Sequence, residues 1–160
     1  MAFDMFIKID GVNGESKDDK HSKEIDVLAF SHGLSNSGSA HVGTGAGAGK
    51  VNVQDISFTK WVDSASPLLM LACCNGKHHS EATLIVRKAG EKPLEYLKIK
   101  LTDVMVTSIT GGGSGGEDRL TENVTLNFGK FNIDYVPQKK DGSGDSPITM
   151  GWDIAANVKA

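Results

Sequence analysis

Three strand-like stretches of this chain alternate apolar and polar residues with a period of two and then change phase partway along. In 51–61 the apolar set passes from Val51 and Val53 to Ile56 and Phe58 across Asp55. In 94–109 it moves from Leu97, Ile99 and Leu101 to Val104 and Val106 near Thr102 and Asp103, and in 121–135 from Val124, Leu126 and Phe128 to Phe131, Ile133 and Tyr135 at Gly129. Successive side chains of a strand point to opposite faces, so a phase change means a bulge or bend at that residue. Long strands with such bends make a sheet curl, and a curling antiparallel sheet closes most simply into a barrel.

Further strands fit that picture. Phe3, Met5, Ile7 and Ile9 alternate with Asp4 and Lys8 in a half-buried strand, and 25–30 is apolar on both faces, which calls for cover on both. Stretches 82–87 and 148–154 complete about seven or eight strands. Between them, 10–14 and 88–93 are turn clusters, 111–116 is a flexible glycine loop and 139–146 is polar. The mixed charges of 15–23 suggest a solvated loop. The 33–49 connection is rich in glycine and serine, and a structureless connection of that length inside a compact domain is usually functional or mobile. No repeat or linker divides the chain, so 1–160 is expected to be one domain.

One stretch departs from β. Ser66 can cap a helix, Pro67 suits a first helical position, and Gly76 can end the helix in a left-handed conformation. The residues between are nearly all apolar, which predicts a short helix at about 65–75, marginal alone in water and held by the strands around it. Leu68, Leu71 and Ala72 fall on one face and are expected to pack on the barrel.

The function classes that composition excludes are broad. A formal net charge of -3 gives no reason to expect nucleic acid as a partner. No run reaches the roughly 18 apolar residues of a membrane span, and the N-terminus lacks the pattern of a signal peptide. The only two cysteines, Cys73 and Cys74, are adjacent on the helix and cannot bridge each other there, which fits folding in a reducing compartment without disulfides.

Apparent motifs dissolve on inspection. Gly43–Lys50 lacks the first glycine and the final Ser/Thr of a phosphate loop and precedes a strand, while Gly111–Gly116 is followed by Glu117 and Asp118, where a pyrophosphate would be repelled. Cys73, Cys74, His78 and His79 lack the spacing of a zinc site, and small helix cysteines with exposed loop histidines explain them better. Neither a nucleophile elbow nor a marked acid/base pair is present, and the Asn123-Val124-Thr125 sequon lies in a strand. No catalytic residue, metal ligand or cofactor is therefore assigned.

Several segments, taken together and in order, carry a more specific signal: Glu24–Leu28, Val53–Lys60, Ala65-Ser66-Pro67 through Ala72-Cys73-Cys74, Glu95–Ile99, Glu117–Asn123 and Gly151–Asn157. From near residue 3 to the C-terminus they resemble the haemolysin co-regulated protein (Hcp) family, the tube proteins of bacterial type VI secretion systems. The resemblance implies a mainly β fold similar to phage tail-tube proteins, an antiparallel barrel of two packed sheets with one helix. It implies a non-enzymatic structural subunit that forms homohexameric rings, with rings stacked inside a contractile sheath behind a spike protein and effectors carried in the lumen. It also implies a cytoplasmic protein that becomes extracellular on firing, without membrane insertion by the monomer. The 33–49 loop, including Ser37, Ser39, His41, Val42 and Thr44, is expected to help seat one ring on the next. The last strand leads directly to Ala160, so no C-terminal toxic extension of the kind some members bear is expected.

Overall fold

The computed structural model describes residues 3–38, 40–41 and 49–160. The strands are β1 (Phe3–Ile9), β2 (Ile25–Ser31), β3 (Leu34–Ser35), β4 (Asn52–Val53), β5 (Ile56–Trp61), β6 (His78–Lys88), β7 (Leu94–Gly112), β8 (Thr121–Tyr135), β9 (Ile148–Asp153) and β10 (Val158–Lys159), with the helix α1 (Ser66–Asn75) between β5 and β6. Antiparallel pairing runs β8–β5–β2–β1–β6–β7, and β7 pairs back to β8, so six strands close a barrel that β9 and β10 extend. The mainly β barrel with one short helix is the fold that the alternation and the bends demand.

The phase changes are where closure happens. One edge of β8 serves two partners: residues 121–126 pair with β5 and residues 130–135 with β9. The handover falls at Gly129, whose carbonyl accepts from the Ile154 amide at 3.0 Å. Across the ladder the register passes from Thr102↔Lys130 to Val104↔Phe128, which leaves Asp103 opposite Gly129 with a left-handed backbone, φ 57°. Asp tolerates that region better than most residues. On either side of the bend most of the expected inward residues are buried: Ile99, Leu101, Val104 and Val106 on β7, and Val124, Leu126, Phe128 and Phe131 on β8. Leu97 and Ile133 are half-buried, and Tyr135, at the end of β8, is exposed against expectation. The buried side chains fill the barrel, leaving a cavity of only about 20 Å³ beneath His32, Gln54 and Phe128.

Four local expectations need correction. The 51–61 stretch is two short strands, β4 and β5, separated at Gln54 and Asp55. The 33–49 connection is not structureless throughout, because β3 pairs with β4 (Leu34↔Val53, Ser35↔Asn52) and gives it a two-stranded base. Strand β6 begins four residues early, since His78 and His79 pair with Met105 and Val104 of the long β7, and His79 is buried rather than exposed. The charged 15–23 segment lies against the barrel, with Ser16 and His21 buried.

The helix forms where expected and ends as expected, at Gly76 with φ 68°, but it begins and faces differently. Ser66 is its first residue rather than its cap. Its hydroxyl accepts from the Asp63 amide at 3.0 Å and donates to Glu122 Oε1 at 2.5 Å, while the Ala65 amide donates to Asp63 Oδ1 at 3.0 Å. Anchoring Ser66 inward sets the rotation of the helix, because residues at steps of three from it stay near its face, whereas Met70, four residues on, turns to the exposed side. Leu69 and Ala72 are therefore buried, whereas Leu68 and Leu71 are 46% and 58% exposed. The expectation that Leu68 and Leu71 pack on the barrel fails, since apolar residues surround this helix and periodicity alone does not choose a face.

Candidate assembly surfaces

A barrel with a filled interior must do its work on its outside. The base of the 33–49 connection is a clamped stalk. Beyond the β3–β4 pair, the Asn36 side-chain amide donates to the Gly49 carbonyl at 2.6 Å and the Gly49 amide to the Ser37 carbonyl at 3.3 Å. A Cβ at Gly49 would stand 2.2 Å from Ser37 Oγ, which can rotate away, and 3.0 Å from the Ser37 carbonyl oxygen, so the approach is close and a side chain here would be crowded. Of the residues expected in a stacking loop, Ser37 and His41 are exposed, and Ser39, Val42 and Thr44 lie outside the described residues.

Two apolar surfaces stand at different places on the barrel. The first is the outer side of α1, where Leu68, Met70 and Leu71 are exposed beside Cys74. The second is a groove of about 180 Å³ between the stalk and the end of β8–β9, lined by Leu34, Val51, Phe131, Met150 and Trp152. Ile148, at 66% the most exposed large apolar residue described, lies on the same strand as Met150 and pairs with the exposed Tyr135. Contiguous exposed apolar surface on a soluble chain marks an interaction site more often than chance.

Behind the helix is a buried charge cluster. Lys60 Nζ lies 2.5 Å from Glu122 Oε1 and 2.8 Å from Asp63 Oδ1, and it donates to Ser66 Oγ at 3.1 Å. Lys60 and Glu122 are side by side in the β5–β8 ladder and essentially inaccessible. This cluster was not anticipated, although the signal was present. Ile56, Phe58 and Lys60 share one face of β5, and Glu122, Val124 and Leu126 share one face of β8, so alternation carries both charges inward.

On the other flank, Arg87 holds Asp18 through two contacts of 3.1 and 2.6 Å and Asp4 at 3.1 Å. The Arg87 hydrogen bonds hold the Asp18 carboxyl down at about 2. Burial pushes the Asp26 carboxyl up. Among histidines, His21 lies between Glu24 and Glu95, and His78 contacts Asp103 at 2.8 Å. His79 Nδ1 donates to the Asp10 carbonyl at 3.0 Å. Each of these contacts joins two parts of the chain. Among the described residues no three His, Cys, Asp or Glu side chains gather as metal ligands would.

Comparison with known proteins gives a uniform result. The family model described as "Type VI secretion system effector, Hcp" matches residues 6–135. Protein hcp1 of Pseudomonas aeruginosa is 61% identical over 162 aligned positions, covering 100% of both chains. A solved structure described as a type six secretion system protein superposes with a TM-score of 0.94 at 35% identity, over 99% of this chain and 100% of that one. Hcp1 from Salmonella typhimurium superposes with a TM-score of 0.81 at 38% identity, over 100% of each.

Proposed function

The chain belongs to the Hcp family of type VI secretion proteins, and from that premise we propose that it is the repeating subunit of the system's inner tube, six copies closing into a ring and rings stacking into a hollow tube. The observation that carries this reading is the pair of unlike apolar surfaces, the outer side of α1 and the groove at β8–β9. Contact between unlike patches is heterologous, and such contacts close into rings when the rotation permits.

The remaining roles follow from that reading. The whole chain acts as one tube domain. The subunit assembles in the cytoplasm, is surrounded by sheath proteins and capped by a spike, and leaves the cell with the tube on sheath contraction. The ring lumen carries or chaperones effector proteins. The loop that includes Ser37, Ser39, His41, Val42 and Thr44 seats one ring on the next, and its clamped stalk supports this by fixing where the loop departs from the barrel. Deleting 37–48 should leave rings intact while reducing stacking and secretion.

A monomeric barrel that binds a small ligand is the competing function, and the interior speaks against it, because a cavity of about 20 Å³ holds no such ligand. Size-exclusion chromatography with light scattering separates the two. A mass six times that of the 17.0 kDa chain, with rings in negative stain, is the expected result. A monomer at high protein concentration overturns the tube reading.

A further inference from the structure

Residues 10–24 connect β1 to β2 by folding over the outer side of the barrel. The segment holds itself in a narrow loop: the Gly14 amide donates to the Lys23 carbonyl at 2.8 Å, the Lys23 amide to Ser16 at 2.9 Å and the Ser16 amide to Glu24 at 3.0 Å. Lys23 takes a left-handed backbone, φ 63°, and a Cβ at Gly14 would come within 2.6 Å of the Glu24 carbonyl oxygen. At its start the loop is joined to the rest of the fold by Val12, buried in the core, and by Asp10 and Glu15, which accept from the Ser80 hydroxyl and the Ser64 amide. Further along, Asp18 and His21 join it to the barrel. Asp18 grips Arg87 of β6, and His21 stacks on Phe6 of β1 with ring centroids 4.5 Å apart, while the Arg87 guanidinium stands over the same Phe6 ring at 5.1 Å. Phe6 is only 4% exposed although it belongs to the outward face of β1.

The His21 contacts have an unusual requirement. Nδ1 stands 2.8 Å from Glu24 Oε2, and Nε2 stands 2.6 Å from Glu95 Oε1 of β7. A neutral imidazole has one N–H and one bare lone pair, so it can donate to only one of these carboxylates and sets its lone pair against the other. A ring with both protons donates to both, and charge-assisted bonds of that kind are the stronger ones.

We propose that 10–24 is a strap latched to the barrel by His21, closed while the ring carries both protons and loosened when it gives one up. The groups facing the ring are consistent with this. Glu24 and Glu95 take its two nitrogens, and its own amide donates to Asp18 Oδ2 at 3.2 Å. Across Phe6, Arg87 is neutralised by Asp18 and by Asp4 of β1. The Arg87–Asp18 pair keeps its charges, because the guanidinium holds the Asp18 carboxyl down at about 2. Opening the strap uncovers Phe6, an aromatic ring on the outside of the barrel, without disturbing the closed ladder beneath it. The proposal is independent of ring assembly.

Hydrogen exchange of the intact protein tests it. After correction for intrinsic rates, protection of amides in 13–24 is expected to fall roughly ten- to hundredfold between pH 6 and pH 9, while β7 and β8 stay protected. Glu95→Gln should keep the strap protected and flatten its pH dependence, because an amide can meet a neutral ring as donor or acceptor. His21→Phe keeps the stack on Phe6 but not the bridges, and should leave 13–24 poorly protected at every pH. Protection of 13–24 that is equal at pH 6 and pH 9 in the parent protein overturns the proposal. A bare ring nitrogen on His21 in nitrogen-detected NMR at pH 6 does so as well, and neither of these two measurements depends on a variant folding.

Discussion

The helix α1 and the strap 10–24 invert each other's composition. The helix is apolar nearly all round, yet Leu68, Met70 and Leu71 face solvent; the strap is dense in charge, yet Ser16 and His21 are buried. In both places the decision is made by a few polar contacts. Ser66, held by Glu122 and Lys60, chooses which side of the helix turns inward, and Arg87 and His21 choose where the strap lies. Hydrophobicity supplies the drive to bury surface, and a small number of directional bonds then decides which surface is buried.

The sharpest way to break this comparison is to remove the partner of a buried charge. Lys60→Met leaves the Glu122 and Asp63 carboxylates enclosed behind α1 without their counter-ion, and uncompensated buried charges of this kind cost about 3–5 kcal/mol. Chemical denaturation should register that loss, and the double variant Lys60→Met, Glu122→Leu should recover most of it by packing. A double variant as unstable as Lys60→Met would show that the cluster contributes more than neutralised charge. Next in size is the inward face of the helix itself. Leu69→Ala empties a fully buried site and is expected to cost about 2–5 kcal/mol in the same assay.

How much of this was readable beforehand divides along the same line. The barrel was, because its evidence is the long alternation and its breaks at Asp55, Asp103 and Gly129, and burial follows a period of two closely. The helix was readable in position, from Pro67 and Gly76, but not in rotation, since a residue such as Leu71 carries no mark of which way it turns. The strap was misread because charge density in 15–23 is an average over side chains, whereas burial there rests on long-range pairs, Asp18 with Arg87 and His21 with Glu95, more than sixty residues apart in sequence. Lys60 and Glu122 were within reach: alternation sets each on an inward face, and their opposite charges would have suggested a pair.

A smaller effect separates two carboxylates by pH, Asp18 of the strap and Asp26 of β2. Asp18 is held at about 2 by Arg87, below its ordinary 3.8, so its contribution is present above that ordinary value and is lost as pH falls toward 2. With solvent screening at this accessible site the loss amounts to about 1 kcal/mol. Asp26 has the opposite sign, because burial raises it and its ionised form is disfavoured in the fold. Asp18→Asn should therefore destabilise the protein at pH 7 and lose that effect near pH 2, whereas Asp26→Asn should be neutral to stabilising at pH 7. Thermal unfolding across that range reads both, and identical pH profiles for the two variants would contradict the assigned causes.

The smallest expected change in stability is on the outer side of α1. Leu71 is 58% exposed, so Leu71→Ser removes no core contact and should alter subunit stability by no more than about 0.5 kcal/mol. If that face meets a neighbouring subunit, the same substitution should shift light scattering from rings toward single chains while the circular dichroism spectrum stays that of the barrel. Paired with Leu69→Ala, it makes opposite demands on the two sides of one short helix: one variant loses fold stability, the other loses assembly. Intact rings from Leu71→Ser would place the subunit contact elsewhere, with the groove at Leu34, Met150 and Trp152 as the next surface to substitute.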